Sequence, residues 1–262
     1  MQNSQSYKKV IVSGHIIEVY EYEKKPVGRH TSDVDDDGYD ALDITQTKLQ
    51  LEDRQEERRQ QTVRDARNIT RRLAMANFSS SSKFITLTFK DNVQDIAFAD
   101  DQFKKFIMKF KYKFGIENLK YIAVREFQKR GAIHYHVLCD WSLTMATEDE
   151  IRHYERVLGT GDWGVGVWKH GFVDIKQIEH VDNVGAYIIK YMTKGVAVEF
   201  FKGKKIYLCS QGLDRPKEYR EEEAEEIIKY YNLQTKKEVF TNSYISEYQG
   251  NTLYKEFNLR RD

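Results

Sequence analysis

The chain has 262 residues, 40% of them hydrophobic and 13% aromatic, with a formal net charge of +1. That is enough apolar material for the core of one ordinary domain with extensions, and no apolar run approaches the roughly 20 residues that span a bilayer. The polar start Met1-Gln2-Asn3-Ser4-Gln5 lacks a signal-peptide pattern, and Cys139 and Cys209 are too few for a disulfide framework, so buried thiols in a cytoplasmic protein with no membrane partner are expected.

Residues 8–23 alternate well enough for one or two strands, with His15 near their middle in a structural role. Residues 31–43 are poor in large apolar side chains. Their Asp33-x-Asp35-x-Asp37-Gly38 copies the first half of a calcium loop, but position twelve, which should be glutamate, is Ile44. An acidic linker or a turn before a helix is expected instead. From 45 to 78 the sequence is charged and free of glycine and proline, which predicts a long helix. Its arginines at 54, 58, 59, 64, 67, 71 and 72 suit either a phosphate backbone or the acids at 52, 53, 56, 57 and 65.

A serine-rich loop at 79–82 leads into Phe84-Ile85-Thr86-Leu87-Thr88-Phe89, a strand pattern. Phe103, Phe106, Ile107 and Phe110 then fall at helical spacing. Between 102 and 130, basic residues at 104, 105, 109, 111, 113, 120, 125, 129 and 130 meet only Glu117 and Glu126, a segregation that the net charge hides. Lys104, Lys105, Lys109, Lys111, Lys129 and Arg130 are the candidate DNA contacts, with a merely solvated helix face as the alternative.

The most informative stretch is Ile133-His134-Tyr135-His136-Val137-Leu138. Side chains alternate along a strand, so both imidazoles face the same way. Residues 119–128 form a second strand-like run, and Lys129-Arg130-Gly131 supplies the glycine of a short hairpin turn. If Gln128 pairs with Ala132, Glu126 lies opposite His134. Two imidazoles and a carboxylate then share a face, with roughly half of an octahedral shell open to substrate oxygens. A slip of one residue removes Glu126, and Gln128 is offered only by a different pairing. A pair of satisfied, half-buried histidines is the plain alternative.

Residues 148–158 read as a helix, and 159–171 as a glycine-rich loop whose Trp163 and Trp168 either stack on bases or anchor the loop. A strand at 171–178 leads to Tyr187-Ile188-Ile189-Lys190-Tyr191-Met192-Thr193-Lys194, bracketed by Asp182 or Asn183 as N-cap and Gly195 as stop. At about 100° per residue, Tyr187, Tyr191, Lys190 and Lys194 share one arc of the helix. A hairpin at 199–209 and an acidic, helical tail beyond Pro216 complete the chain.

These motifs, in this order, resemble the rolling-circle replication initiators of the HUH endonuclease superfamily, two-tyrosine type, of bacterial plasmids and single-stranded DNA phages. The resemblance covers residues 79–215, between an N-terminal segment 1–78 and a tail 216–262. It implies an α+β fold with a central antiparallel sheet and flanking helices. It also implies Mg2+ or Mn2+ on His134, His136 and Glu126, with Tyr187 and Tyr191 as nucleophiles assisted by Lys190 and Lys194. Nicking of single-stranded or hairpin origin DNA through a 5′-phosphotyrosine follows from the same resemblance. No glycine-rich loop ending in Lys-Ser or Lys-Thr occurs, so a host helicase and DNA polymerase are the expected partners. A transposase of the same superfamily, or a non-enzymatic origin-binding regulator, are the other readings.

Overall fold

Alternation with period two sets the strands of this protein, and a switch to a period near four sets its helices. The computed structural model describes residues 7–25, 44–142, 147–159, 166–192, 205–246 and 249–261. The chain divides into two units, Met1–Arg54 with Arg215–Asp262, and Gln55–Asp214.

Strands β1 (Tyr7–Ser13) and β2 (Ile16–Tyr22) form an antiparallel hairpin in which Val10 faces Val19. His15 lies in its turn, and its carbonyl accepts from Leu259 N at 2.8 Å. The predicted long helix is present as α1 (Ile44–Asn77), which belongs to the first unit up to Arg54 and to the second from Gln55. The acidic 31–43 segment lies outside the described residues.

In the second unit come β3 (Lys83–Thr88), α2 (Ile96–Phe114), β4 (Tyr121–Phe127), β5 (Ile133–Cys139), α3 (Glu148–Leu158), β6 (Val173–Gln177), α4 (Val184–Ile189) and β7 (Tyr207–Cys209). The sheet order is β6-β3-β5-β4-β7, and every pairing is antiparallel. All seven residues of the central β5 are buried. Asp95 opens α2 by accepting from Ala97 N and Phe98 N. Phe103, Phe106 and Phe110 of α2 bury against Tyr135, Val137 and Cys139, so α2 covers the face of β5 that the histidines do not use. Each such phenylalanine contributes roughly 1.5–3 kcal/mol by leaving water.

That far face holds one buried charge. Arg125, 1% exposed in its side chain, donates from Nε and Nη2 to both oxygens of Asp100 at 2.7 and 2.6 Å, and from Nη1 to Lys205 O at 2.6 Å. Tyr135 OH donates to Asp100 at 2.7 Å. Burial, then the Asp100 charge, pushes that phenol far up. Cys139 is buried and its thiol is pushed up to about 12, chiefly by burial; Cys209 is half-buried, and both are free.

The chain then supplies β8 (Lys217–Arg220), α5 (Glu221–Tyr230), β9 (Phe240–Ser246) and β10 (Gly250–Asn258) to the first unit. Its sheet order is β8-β1-β2-β10-β9, and α5 packs Ala224 and Ile228 on Val10, Ile17 and Phe257. The tail expected to be helical thus holds one described helix and three strands, and it shares a sheet with the N-terminal hairpin. Local pattern could not show this, because β9 is exposed almost throughout and its Phe-Thr-Asn-Ser-Tyr-Ile-Ser run does not alternate. No helix of the described residues is long and apolar enough to cross a membrane.

Candidate active site

The β4–β5 hairpin closes as its sequence requires. Gly131 takes φ +88, a left-handed value that side-chain-bearing residues rarely adopt, and its N donates to Gln128 O at 2.7 Å. Gln128 N donates to Ala132 O at 2.9 Å, which fixes the register with Glu126 opposite His134 and Val124 opposite His136. On the other side of β5, Thr88 pairs with His134 and Thr86 with His136. One further strand out, Asp174 pairs with Thr86 and Lys176 with Phe84. The face opposite α2 therefore carries Glu126, His134 and Thr88 in one row, and His136, Thr86 and Asp174 in the next.

His136 is the junction of this face. Its Nε2 lies 2.7 Å from Glu126 Oε2 and its Nδ1 3.3 Å from Thr86 Oγ1. Because a carboxylate only accepts, the neutral ring donates from Nε2 to Glu126 and accepts at Nδ1 from the Thr86 hydroxyl. Both imidazoles are buried, at 9% exposure for His134 and 5% for His136. Burial, then the neighbouring His136, lowers His134 to about 4 against the opposing pull of Glu126. Burial likewise lowers His136, although Glu126 favours its protonated form. At neutral pH the face thus presents two uncharged imidazoles and a carboxylate.

Asn183 is the N-cap of α4, its Oδ1 accepting from Ala186 N at 2.7 Å. The helix is shorter than its apolar spacing predicts and ends at Ile189. Lys190 and Tyr191 follow in a turn, with Tyr191 N donating to Ile188 O at 3.2 Å. The reason lies on α1, where Arg67 Nη1 donates to Ile189 O at 2.8 Å and Met192 O at 2.5 Å and so takes up the last carbonyls. Arg67 is a positioning residue that the sequence did not single out among seven similar arginines. Gly185 N also donates to Met75 Sδ of α1 at 3.2 Å.

Held in this way, both tyrosines meet the histidine face. The Tyr191 ring stacks on His136 at 3.9 Å between centroids, and Phe84 lies under both phenols at 4.9 Å from Tyr187 and 5.2 Å from Tyr191. Lys190 Nζ sits 3.7 Å over the Tyr187 ring and 4.9 Å over that of Tyr191. Burial raises the Tyr191 phenol, and a hydrogen bond with Tyr187 and the charges of Glu126 and Asp174 add to the rise. Lys194 lies outside the described residues.

The expected DNA contacts divide. Lys104, Lys105 and Lys109 are exposed on α2 and Lys111 is half-buried there, across the sheet from the tyrosines, and Lys105 pairs with Asp101 at 2.7 Å. Lys129 and Arg130 occupy the hairpin turn beside the site. The Arg130 guanidinium donates to Phe89 O at 2.8 Å and Lys90 O at 3.2 Å, and its charge helps to keep His134 neutral. Trp168 is a core residue, 1% exposed, whose Nε1 donates to Thr88 O at 2.7 Å; Trp163 lies outside the described residues. The three expected metal ligands share a face, yet among the described residues no three His, Cys, Asp or Glu side chains converge as a metal cluster. Glu126 and His136 are joined to each other instead.

An antiparallel sheet with paired histidines on its central strand and paired tyrosines on an adjoining helix defines a class of DNA-processing proteins. Residues 82–196, which hold this whole face, match the family model of replication-associated protein ORF2, a rolling-circle replication initiator family. This stretch is accordingly that of a replication-associated initiator, and the family implies binding to DNA. No curated protein and no solved structure matches the chain.

Proposed function

We propose that the protein nicks single-stranded or hairpin origin DNA by tyrosine attack and later rejoins the ends. The observation that supports this most directly is the stacking of Tyr191 on His136, with Tyr187 and Lys190 beside it, because it brings nucleophiles and candidate metal ligands to one face. A phenol oxygen attacks phosphorus, a bond forms to the 5′-phosphate, and the bond to the 3′-oxygen breaks. The phenol proton is lost and the departing oxygen gains one, leaving a 3′-hydroxyl that can prime a polymerase. One phosphodiester replaces another of similar energy, so the same site can run the step backwards.

A free phenol titrates near 10. Lys190, close over both rings, favours the negative charge that develops on the attacking oxygen. His134, His136 and Glu126 offer nitrogen and oxygen donors of the kind that bind Mg2+ or Mn2+, and such an ion would draw charge from the non-bridging phosphate oxygens. For His136 to offer Nε2 as a ligand, its proton must move to Nδ1. The Thr86 hydroxyl, able to donate or accept, suits both tautomers. Two tyrosines suit two cuts, one to open the origin and one to release a regenerated copy. Strand separation falls to a host helicase and synthesis to a host polymerase.

The test is covalent trapping. The protein is mixed with manganese and 3′-labelled single-stranded DNA from around its own gene, and the products are run on a denaturing gel. A labelled protein band that vanishes in the Tyr187→Phe, Tyr191→Phe double variant supports nicking. Tight DNA binding with no adduct overturns it and favours the regulator.

A further inference from the structure

Phe172 is 75% exposed, an unusual state for a large aromatic side chain beside a buried face. It lies one residue before β6, opposite Thr88. Thr88 N donates to Phe172 O at 3.0 Å, Thr88 Oγ1 donates to the same carbonyl at 3.0 Å, and Phe172 N donates back to Thr88 Oγ1 at 2.9 Å. The preceding residue tightens this clasp. A Cβ on Gly171 would lie 2.3 Å from Thr88 O and 2.9 Å from Lys90 N, so only glycine allows the backbone so near β3.

Register decides where the ring points. Phe172 alternates with Val173, which faces the α2 core, and agrees in phase with Asp174 on the histidine face. It thereby extends the row Thr88, His134, Glu126 by one strand. Two strand spacings, roughly 10 Å, separate it from His134. Cations accompany it: Lys176 is exposed two pairs along β6, Lys90 is exposed just beyond Thr88, and Arg130 is bonded to the Phe89 and Lys90 carbonyls.

We propose, on the strength of the nicking function proposed for the same face, that Phe172 is a stacking platform for one unpaired base within a nucleotide or two of the scissile phosphate. An exposed ring on a fixed backbone offers a π-face with little ordering left to do, and the adjacent cations suit the flanking phosphates. Phe172 is a positioning residue. It holds the strand so that the phosphate lies over His134 and His136 while the tyrosines approach from α4.

The test uses the full chain and short single-stranded oligonucleotides tiled across the DNA around its gene, with binding followed by fluorescence anisotropy in EDTA to prevent cleavage. The tightest oligonucleotide is then substituted with 2-aminopurine at each position in turn. Phe172→Ala is expected to weaken binding about tenfold and to relieve the quenching at one position. Phe172→Trp should retain both, and adduct formation in manganese should fall with Phe172→Ala and recover at high DNA concentration. If the unaltered protein binds and traps DNA while Phe172→Ala does so equally well, or if tryptophan fails to rescue, the platform is overturned and the nicking function stands. If the unaltered protein binds DNA but never forms an adduct, the nicking function itself has failed.

Discussion

The Tyr191 ring lies face to face with the His136 imidazole, 3.9 Å between centroids and 26° between planes. A helix-borne phenol is thus seated on a strand-borne candidate ligand, and neither can shift without the other. His134→Ala, His136→Ala and Glu126→Ala should each lower adduct formation by about a hundredfold or more, since even the partners of metal ligands are worth ten- to a hundredfold. Densitometry of the trapped band measures this. Chelation with EDTA should abolish the band, and an undiminished band in EDTA would remove the metal from the mechanism.

Lys190 acts through charge, not through packing, because it is exposed while its ammonium lies over two phenol rings. Lys190→Met keeps much of the aliphatic stem and removes the cation. The expected result is about a hundredfold slower nicking, with an unchanged denaturation midpoint and unchanged oligonucleotide affinity in EDTA. Equal rates for the variant and the parent would take Lys190 out of the chemistry.

Arg67 tests whether α1 sets the tyrosines. Arg67→Lys cannot reach two carbonyls from one planar fork, so the Ile189 and Met192 carbonyls lose part of their cap. Nicking should fall about tenfold, in line with the sensitivity of reactions to misplacement of reacting groups. Single-turnover rates at saturating DNA separate this from weaker binding. A change in affinity alone would place Arg67 on the DNA instead.

The paired histidines, the Glu126 register and the tyrosine pair were legible because each rests on a local rule: strand alternation, a glycine turn and helical spacing. What was hidden depends on contacts between distant residues. Arg67 meets Ile189 across 122 positions, and no periodicity marks it among its neighbours. The same holds for Phe172, whose role follows from its pairing with Thr88, and for β10, which pairs with β2 from the far end of the chain and brings β9 with it. The early end of α4 is a further instance, since Ile188 and Met192 continue the apolar spacing that the Arg67 contacts interrupt.

Acid should unfold the metal-free protein through His134. Its folded-state value near 4 lies below the ordinary 6.5, so the unfolded chain binds a proton that the fold refuses. Stability is full above pH 6.5 and falls as the pH drops toward 4, by up to about 3 kcal/mol at 1.36 kcal/mol per unit. Urea midpoints between pH 7 and pH 4.5 read this, and His134→Gln should flatten that part of the profile. An equally steep profile in the variant would assign the acid sensitivity to other groups.

Asp100 should matter more to the fold than to the chemistry. Asp100→Asn keeps the shape but leaves the Arg125 guanidinium, 1% exposed, without its counter-charge and with one acceptor oxygen where there were two. Removing one partner of a buried pair typically costs about 3–5 kcal/mol. Because Arg125 and Glu126 are successive residues on opposite faces of β4, a loss of this size loosens the strand that presents Glu126 to His136. The denaturation midpoint should drop sharply, while nicking at low temperature, where the variant remains folded, should stay within a few-fold of the parent. A stable variant would mean that Lys205 O and Tyr135 hold Arg125 without the carboxylate, and a folded variant that cannot nick would place Asp100 in the site through β4.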